Sequence, residues 1–168
     1  MKQLIIGGAR SGKSGLAERL ARESRLPVSY IATAEARDQE MAARIAHHQA
    51  RRPPGWHTVE EPLHLAACLQ QHADSGRCVL VDCLTLWLTN VLLADQEGEV
   101  ADLLATLPTL PGEIILVSNE VGWGIVPINA LARRFADEQG RLNQQLAACC
   151  ERVTLVAAGL PLVLKNAG

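Results

Sequence analysis

Aromatic side chains are scarce in this chain of 168 residues, because three tryptophans, one tyrosine and one phenylalanine make up only 3% of it. Proteins that bind single-stranded nucleic acid stack bases on aromatic rings, so this scarcity argues against that function. Charge is nearly balanced, with 16 Lys and Arg against 18 Asp and Glu and a formal net charge of −2. Neither nucleic acid nor an anionic membrane is therefore an expected partner, and any phosphate chemistry must come from a local site.

Paired cysteine motifs and long apolar runs are also missing. The five cysteines form no C-x-x-C pair, are odd in number and stand mostly in apolar stretches, which is typical of reduced thiols in the cytoplasm. The longest apolar stretches, near 79–94 and 153–164, are interrupted by polar residues or proline, or are too short to span a bilayer. The N-terminal MKQLIIGG is too short for a signal sequence. We expect a cytoplasmic protein without stable membrane insertion.

Short apolar runs alternate along the chain with segments of helical periodicity. The runs are continuously apolar, which is typical of strands in a parallel sheet covered on both faces. We predict strands at Leu4–Ile6, Val28–Ala32, Cys78–Asp82, Glu113–Ser118 and Val153–Ala158. We predict helices around 13–25, 38–52, 63–73, 84–94 and 129–150, and a peripheral helix with loops in 95–112. The expected fold is a single α/β domain, 1–168, with a mostly parallel sheet and helices on both faces.

Residues 7–14 read GGARSGKS, a full match to the phosphate-loop pattern GxxxxGK[ST]. The segment follows a predicted strand and opens a predicted helix, so backbone N–H groups and the positive helix end would face a phosphate. Lys13 is predicted as a catalytic residue that bridges the β- and γ-phosphates, and Ser14 as a Mg²⁺ ligand. The predicted nucleotide contacts of the loop are Gly7, Gly8, Ala9, Arg10, Ser11, Gly12, Lys13 and Ser14. A glycine turn that matches by chance is the alternative.

A phosphate loop with Mg²⁺ needs an acidic partner at the end of another buried strand. The segment CVLVDCLT supplies Asp82, which we predict as the second Mg²⁺ ligand, although a helix cap explains the same residue. The chain is thus predicted to bind a nucleoside triphosphate with Mg²⁺ as cofactor. These motifs serve kinases, switches and motors alike, but the NKxD guanine reader typical of GTPases is missing from the sequence. The segment 118–127, SNEVGWGIVP, is interpreted as a flexible substrate loop or an ordinary connection.

Two adjacent histidines lie in the predicted helix 38–52, for which Asp38 is the expected N-cap. Neighbouring helical side chains point about 100° apart, so His47 and His48 cannot chelate one metal together. No His or Cys lies four residues from either, which argues against a zinc site. His48 shares an apolar stripe with Met41 and Ile45, and we predict that it packs or hydrogen-bonds beneath the helix.

His47 lies on a different, charged stripe together with Glu40, Arg44 and Arg51. Guanidinium groups one turn to each side of an imidazole form a site for a polyphosphate and would hold the ring neutral and nucleophilic. A solvated basic face without chemistry explains the same spacing equally well. The residues alone leave both interpretations open.

Four segments together resemble one known family: the phosphate loop, YIATAEARDQEMAARIAHH, VLVDCLTLWLTN, and NEVGWGIVP followed by LARRFADEQGRLNQQLA. They are similar to the bifunctional adenosylcobinamide kinase / adenosylcobinamide-phosphate guanylyltransferases of cobalamin biosynthesis, over nearly the whole chain. The resemblance implies ATP- or GTP-dependent phosphorylation of the aminopropanol hydroxyl of adenosylcobinamide. It also implies transfer of GMP from GTP to adenosylcobinamide phosphate through a covalent GMP–histidine, with His47 as the catalytic residue. A RecA-like P-loop fold and a homotrimer are further implications.

The resemblance also extends the nucleotide site beyond the phosphate loop. The additional positions that it implies are Ala32, Thr33, Ala34, His48, Gln49, Ala50, Arg51, Glu60 and Asp82. The family often has glutamate where this chain has Asp82, which keeps the charge but shortens the reach by one methylene. A P-loop small-molecule kinase without guanylyltransferase activity and a nucleotide-dependent binding module are the alternatives. A RecA-like DNA motor fits poorly with the modest charge and the few aromatics.

Overall fold

The structure, a computed structural model, describes residues 1–50 and 52–167. It contains one seven-stranded sheet in the order β3-β2-β4-β5-β1-β6-β7. The strands are β1 (Lys2–Gly7), β2 (Val28–Ala32), β3 (His57–Glu60), β4 (Cys78–Asp82), β5 (Glu113–Asn119), β6 (Arg152–Ala157) and β7 (Leu160–Asn166). Every neighbouring pair is parallel except β6 and β7, which are antiparallel. The predicted mostly parallel sheet is confirmed, and all five predicted strands are present.

The helices cover both faces of this sheet, as predicted. They are α1 (Lys13–Glu23), α2 (Gln39–Ala50), α3 (Leu65–His72), α4 (Leu84–Leu93), α5 (Gly98–Thr106) and α6 (Ala130–Cys149). One face packs against α1, with Leu16 and Ala17 in its buried cluster, and the other against α3, α4, α5 and α6 around Trp87. Within residues 1–50 and 52–167, no helix is both long and apolar enough to cross a bilayer.

The two strands that the sequence did not predict lie at the edges of the sheet. β3 reads HTVE, which contains no apolar run because most of its side chains are exposed. β7 contains Pro161 and follows β6 after a tight turn at Ala158 and Gly159, both with positive φ. Edge strands carry a weak apolar signal and tolerate proline, which explains why apolar runs alone do not reveal them.

The segment 95–112 forms α5 and a short 3₁₀ turn, Leu107–Thr109. The predicted helix with loops is confirmed, and α5 packs outside the sheet against α3 and α6. Leu103 and Leu107 are fully buried, and Leu110 is nearly so. Leu103 of α5, Leu107 of the 3₁₀ turn and Leu110 after it belong to the buried cluster that α3 and α6 also line.

The helix that carries the two histidines lies on the surface. Asp38 Oδ1 accepts a hydrogen bond from the Met41 N–H at 2.7 Å, which confirms the predicted N-cap. Among the twelve residues of α2, only Met41 and Ile45 are half-buried, and the rest are exposed. The prediction that His48 packs beneath the helix is therefore wrong, because the C-terminal half of α2 has no core under it.

Candidate nucleotide site

The carboxyl ends of the parallel strands meet at one edge of the sheet, which is where open α/β folds bind ligands. Ala32 pairs with Glu60 on one side and with Asp82 on the other, so the ends of β2, β3 and β4 lie in register. At the end of β1, Gly7 pairs with Asn119 of β5. The sheet therefore brings the phosphate loop, Asp82 and the ATA turn to the same edge.

The phosphate loop connects β1 to α1 and leaves no room for a side chain at its first residue. A Cβ at Gly7 would lie 2.5 Å from the Val156 carbonyl oxygen and 2.7 Å from Ser11 Oγ. Gly12 has φ of 95°, a left-handed conformation that glycine adopts without strain. The loop thus leads into the N-terminus of α1, whose first-turn N–H groups are suited to an anion.

Lys13 lies within the loop and is almost buried, with 9% of its surface exposed. Its Nζ donates a hydrogen bond to the Gly8 carbonyl oxygen at 2.9 Å, which draws the side chain across the loop. Burial lowers the pKa of Lys13, while the nearby Cys83 and Asp82 act in the opposite direction. Ser14 is half-buried in the first turn of α1. Both residues occupy the positions that the motif requires.

Asp82 is held by Tyr30, a residue that lies outside every predicted site. The Tyr30 hydroxyl donates a hydrogen bond to Asp82 Oδ2 at 3.0 Å. Burial, with the carboxylate of Asp82 as a further cause, raises the pKa of the Tyr30 phenol, so this hydroxyl stays a donor. The signal was present in the sequence, because Tyr30 is the single tyrosine of the chain and interrupts the apolar strand VSYIA.

Tyr30 is itself enclosed by the segment that follows α2. The guanidinium carbon of Arg52 lies 3.8 Å from the centroid of the Tyr30 ring, and Trp56 stacks on the ring at 6.3 Å between centroids. Arg52 Nη1 also donates a weak hydrogen bond to Thr58 Oγ1 at 3.3 Å. Cation–π contact and stacking therefore fix the ring that orients Asp82.

The predicted ATA turn has a structural function at its centre. Thr33 is fully buried, and its Oγ1 donates to the Cys83 carbonyl oxygen at 2.6 Å and accepts from the Cys83 N–H at 3.1 Å. Asn90 Nδ2 donates to the Thr33 carbonyl oxygen at 2.9 Å. The side chain of Thr33 thus ties the end of β2 to the end of β4, while Ala32 is buried and Ala34 half-buried beside it.

The C-terminal part of α2 reaches the same edge of the sheet. Gln49 Nε2 donates to Glu60 Oε1 at 3.4 Å, which joins two of the predicted nucleotide-binding positions. His47, His48 and Ala50 are exposed. The rings of the two histidines meet edge to face, with 6.2 Å between centroids. Arg51 lies outside the described residues.

One of the two arginines expected to flank His47 has a partner on its own helix. Arg44 Nη2 lies 2.9 Å from Glu40 Oε1, and both side chains are mostly exposed. Exposed pairs of this kind stabilise a helix by only about 0.3–0.5 kcal/mol, so Arg44 can exchange Glu40 for a phosphate at little cost. Glu40, Arg44 and His47 of the charged stripe lie on α2, and because Arg44 pairs with Glu40, the described residues give no preformed anion site at Arg44.

The oxygen donors at the loop fit Mg²⁺. Ser14 offers a hydroxyl and Asp82 a carboxylate, one oxygen of which is held by Tyr30. In the part of the chain that the structure describes, no group of three or more His, Cys, Asp or Glu residues could hold a metal ion. Mg²⁺ is commonly bound by one or two protein oxygens together with substrate phosphates and water, so this sparse set suits it.

Solved structures share this fold at low sequence identity. The chain is similar to the flagellar accessory protein FlaH from Methanocaldococcus jannaschii, with a TM-score of 0.55 and 12% identity over 98% of this chain and 78% of that one. It is similar also to a Pyrococcus horikoshii protein, Project ID PH0250, with a TM-score of 0.55 and 12% identity over 99% and 87%. These similarities concern the fold alone, and they agree with the expected α/β fold with a mostly parallel sheet.

Sequence relatives are much closer. The chain is 63% identical over 170 residues to the bifunctional adenosylcobalamin biosynthesis protein CobP of Pseudomonas aeruginosa, over 99% of this chain and 98% of that protein. It is 42% identical over 182 residues to the corresponding CobU protein of Escherichia coli, over 98% and 100%. The family described as "CobU: Cobinamide kinase / cobinamide phosphate guanyltransferase" matches residues 3–164. The chain therefore belongs to the cobinamide kinase / cobinamide phosphate guanyltransferase family.

Proposed function

We propose that this chain catalyses both reactions of its family. It phosphorylates the aminopropanol hydroxyl of adenosylcobinamide and then transfers GMP from GTP to that phosphate, which yields adenosylcobinamide-GDP. The observation that carries the proposal is the common edge of the sheet, where the phosphate loop with Lys13 and the end of α2 with His47 both lie. The name of the P. aeruginosa relative, a bifunctional enzyme, supports two reactions in one chain.

In the kinase reaction, the loop N–H groups and the α1 N-terminus orient the triphosphate of ATP or GTP. The substrate hydroxyl oxygen forms a bond to the γ-phosphorus, and the bond from that phosphorus to the β–γ bridging oxygen breaks. The nucleoside diphosphate leaves with the electron pair, and the hydroxyl proton passes to solvent. Lys13 stabilises the charge that develops on the β- and γ-phosphates, so catalysis comes mainly from positioning and electrostatics.

In the guanylyl transfer, a neutral ring nitrogen of His47 forms a bond to the α-phosphorus of GTP, and pyrophosphate leaves with the electron pair. A phosphate oxygen of adenosylcobinamide phosphate then attacks the same phosphorus, the P–N bond breaks, and His47 is regenerated. The exposure of His47 on α2 supports this role, because the ring has room for a nucleotide. The remaining nucleotide contacts of the proposal are Gly7 to Ser14, Ala32 to Ala34, His48 to Arg51, Glu60 and Asp82.

We propose Mg²⁺ as the cofactor, held by Ser14 and Asp82 together with the phosphates. When bound, the ion neutralises charge on the β- and γ-phosphates. Tyr30 fixes the orientation of the Asp82 carboxylate through its hydrogen bond. The hard oxygen donors of these residues support Mg²⁺ over a softer metal.

We propose that the whole chain, 1–168, is one nucleotide-binding and transferase domain that assembles as a homotrimer in the cytoplasm. A single sheet takes its strands from residues 2 to 166, which supports one domain. Exposed apolar side chains support assembly, since monomers rarely present such patches. They are Trp123, Ile125, Val126 and Ile128 after β5, and Leu160, Leu162, Val163 and Leu164 on β7. Five free cysteines fit a reducing compartment, and a net charge of −2 fits a protein without nucleic acid or membrane partners.

The test is a two-stage product assay with adenosylcobinamide. Incubation with ATP alone is expected to yield adenosylcobinamide phosphate, and later addition of GTP is expected to convert that product to adenosylcobinamide-GDP with release of pyrophosphate. Formation of the phosphate without the GDP product would establish the kinase-only alternative. ATP hydrolysis that needs nucleic acid and ignores the corrinoid would contradict the proposal.

A further inference from the structure

β5 ends directly beside the start of the phosphate loop. Asn119, the last residue of β5, pairs with Gly7, the last residue of β1 and the first of the loop. The backbone N–H of Glu120 donates a hydrogen bond to the Gly7 carbonyl oxygen at 3.0 Å. Asn119 is therefore the side chain that this strand contributes next to the loop.

The alternation of side chains along β5 places Asn119 on the face that α1 covers. Ile115 and Val117 belong to the buried cluster of α1, while Leu116 and Ser118 face α6 on the other side. Successive strand residues point to opposite faces, so Asn119 follows Val117 onto the α1 face. This is the face on which the helix after the phosphate loop begins.

Asp82 lies on the same face, one strand away. Asp82 pairs with Val117, and Asn119 is two residues further along β5. With strands about 4.8 Å apart and about 3.3 Å of rise per residue, the two residues are separated by about 8 Å. In the order β4-β5-β1, Asn119 therefore lies between Asp82 and Gly7, and a phosphate group with its metal ion can bridge the separation between Asp82 and Asn119.

The side chain of Asn119 contains a buried oxygen for which the described residues supply no hydrogen-bond donor. Within the described residues, Asn119 Oδ1 is inaccessible to solvent and has no hydrogen-bond partner. Buried polar atoms are nearly always paired in folded proteins, so this unpaired oxygen indicates a carboxamide that the fold does not fix and that a ligand can reorient. A carboxamide also carries N–H donors, which suit the oxygens of a phosphate.

A network of polar residues forms hydrogen bonds with the backbone of Asn119, and its side-chain carboxamide takes no part in them. The Asn119 N–H donates to Oγ1 of Thr85, in the first turn of α4, at 2.9 Å. Asn143 Nδ2 donates to the Asn119 carbonyl oxygen at 3.1 Å. Ser118 Oγ donates to Asn143 Oδ1 at 2.7 Å, and Gln139 Nε2 donates to Ser118 Oγ at 2.9 Å. Such a framework holds a side chain in position for a ligand without using it for packing.

We propose that Asn119 is a further catalytic residue of the kinase reaction, which contacts the γ-phosphoryl group during its transfer. Nδ2–H donates to a γ-phosphate oxygen while the attacking hydroxyl oxygen forms its bond to phosphorus. The bond to the β–γ bridging oxygen breaks, the diphosphate leaves with the electron pair, and the hydroxyl proton passes to solvent. This inference rests on the proposed kinase function.

Two measurements on Asn119→Ala test it. The first is steady-state phosphorylation of adenosylcobinamide, for which we expect kcat to fall about 100-fold, the usual loss when one positioned transition-state donor is removed. The second is the ratio of affinities for a non-hydrolysable ATP analogue and for ADP, each with Mg²⁺. The variant is expected to lose about tenfold in affinity for the analogue, since one hydrogen bond to a charged phosphate is removed, and to bind ADP unchanged.

Two further variants separate contact from structure. Asn119→Asp keeps the shape and an acceptor but replaces the donor by a charge that repels the γ-phosphate, so its kcat is expected to be at least as low. Asn129→Ala serves as the matched control, because Asn129 caps α6 by accepting from the N–H groups of Leu131 and Ala132. Its loss is expected to lower the thermal midpoint while the analogue-to-ADP ratio stays that of the wild type.

The outcomes are distinct for this inference and for the proposed function. Wild-type kcat in either Asn119 variant would overturn the inference, and so would parallel losses of ADP affinity and thermal midpoint in Asn119→Ala. A wild-type protein that does not phosphorylate adenosylcobinamide would contradict the proposed function. The analogue-to-ADP ratio needs no corrinoid, so it would still decide whether Asn119 contacts a γ-phosphate.

Discussion

The Tyr30 hydroxyl lies 3.0 Å from Asp82 Oδ2 and donates a hydrogen bond to it from the adjacent strand. The donor comes from inside the sheet, where Tyr30 is 2% exposed, and the acceptor stands at its edge. A buried phenol thus orients the carboxylate that we propose as a Mg²⁺ ligand. Groups that orient a metal ligand typically change metal affinity by roughly 10–100-fold when they are lost.

Removal of the Tyr30 hydroxyl should weaken the use of Mg²⁺. In Tyr30→Phe the ring keeps its contacts with Arg52 and Trp56, while the hydrogen bond to Asp82 is lost. We expect the Mg²⁺ concentration for half-maximal kinase activity to rise roughly tenfold. The measurement is kinase rate against Mg²⁺ concentration, with thermal unfolding as the control for folding. An unchanged Mg²⁺ dependence would show that the hydroxyl does not orient a metal ligand.

Lys13→Met should abolish most phosphoryl transfer without loss of the fold. Methionine fills the space of the aliphatic stem, but it cannot donate to the Gly8 carbonyl or to a phosphate. We expect kcat of the kinase reaction to fall on the order of 10²- to 10³-fold, as for other charge-stabilising groups. Steady-state kinetics with adenosylcobinamide and ATP give this value. A variant within a fewfold of wild type would remove Lys13 from the mechanism.

Two neighbouring glycines provide a matched test of the loop geometry. A Cβ at Gly7 would lie 2.5 Å from the Val156 carbonyl oxygen, whereas a Cβ at Gly8 would have nothing within 4 Å. Gly7→Ala is expected to lower the free energy of unfolding by about 1–3 kcal/mol, the usual cost of overpacking. Gly8→Ala should change it by less than about 0.5 kcal/mol. Urea unfolding compares the two, and equal values would contradict the described path of the loop.

The ion pair between His64 and Glu99 should make stability depend on pH. His64 Nδ1 lies 2.7 Å from Glu99 Oε1, and this hydrogen bond raises the pKa of His64 above 6.5. A raised folded-state pKa means that the stabilisation is fully present below about pH 6.5 and is lost as the pH rises through the folded-state value. His64 is exposed, so the effect will be small.

His64→Gln is the variant that tests this pH dependence. Urea unfolding should find the wild type more stable than the variant at about pH 6, with the difference shrinking toward about pH 8. A difference that grows with pH would mean that the pKa of His64 is lowered rather than raised. Glu99→Gln should behave as His64→Gln does, because either substitution breaks the same pair.

Local sequence patterns predicted much of this molecule because their physics is local. The phosphate loop is recognisable from the glycines and from Lys13, since backbone geometry and helix polarity are set within eight residues. Asp82 follows a continuously apolar run, which predicts its place at the end of β4. Asp38 precedes a segment of helical periodicity, which predicts its place as the N-cap of α2. The strands that the sequence missed, β3 and β7, lie at sheet edges where burial leaves little pattern.

What the sequence could not predict depends on contacts between distant segments. Tyr30 and Asp82 are 52 residues apart, and their hydrogen bond follows from strand order, which no local pattern reveals. His48 shares the spacing of an apolar stripe, yet nothing covers that part of α2 in the described chain. Asn119 acquires its position from its register with Gly7, which the pattern of β5 does not contain.

The covalent intermediate is the central claim, and it has a direct test. The wild-type protein is incubated with Mg²⁺ and GTP labelled at the α-phosphate, denatured, and mapped by peptide analysis. We predict one equivalent of an acid-labile, alkali-stable GMP label on His47, absent from His47→Ala and retained in the control His57→Ala, because His57 is exposed at the end of β3 away from Glu60. His47→Ala should still phosphorylate adenosylcobinamide. A label on another residue, or wild-type formation of adenosylcobinamide-GDP by His47→Ala, would contradict the account.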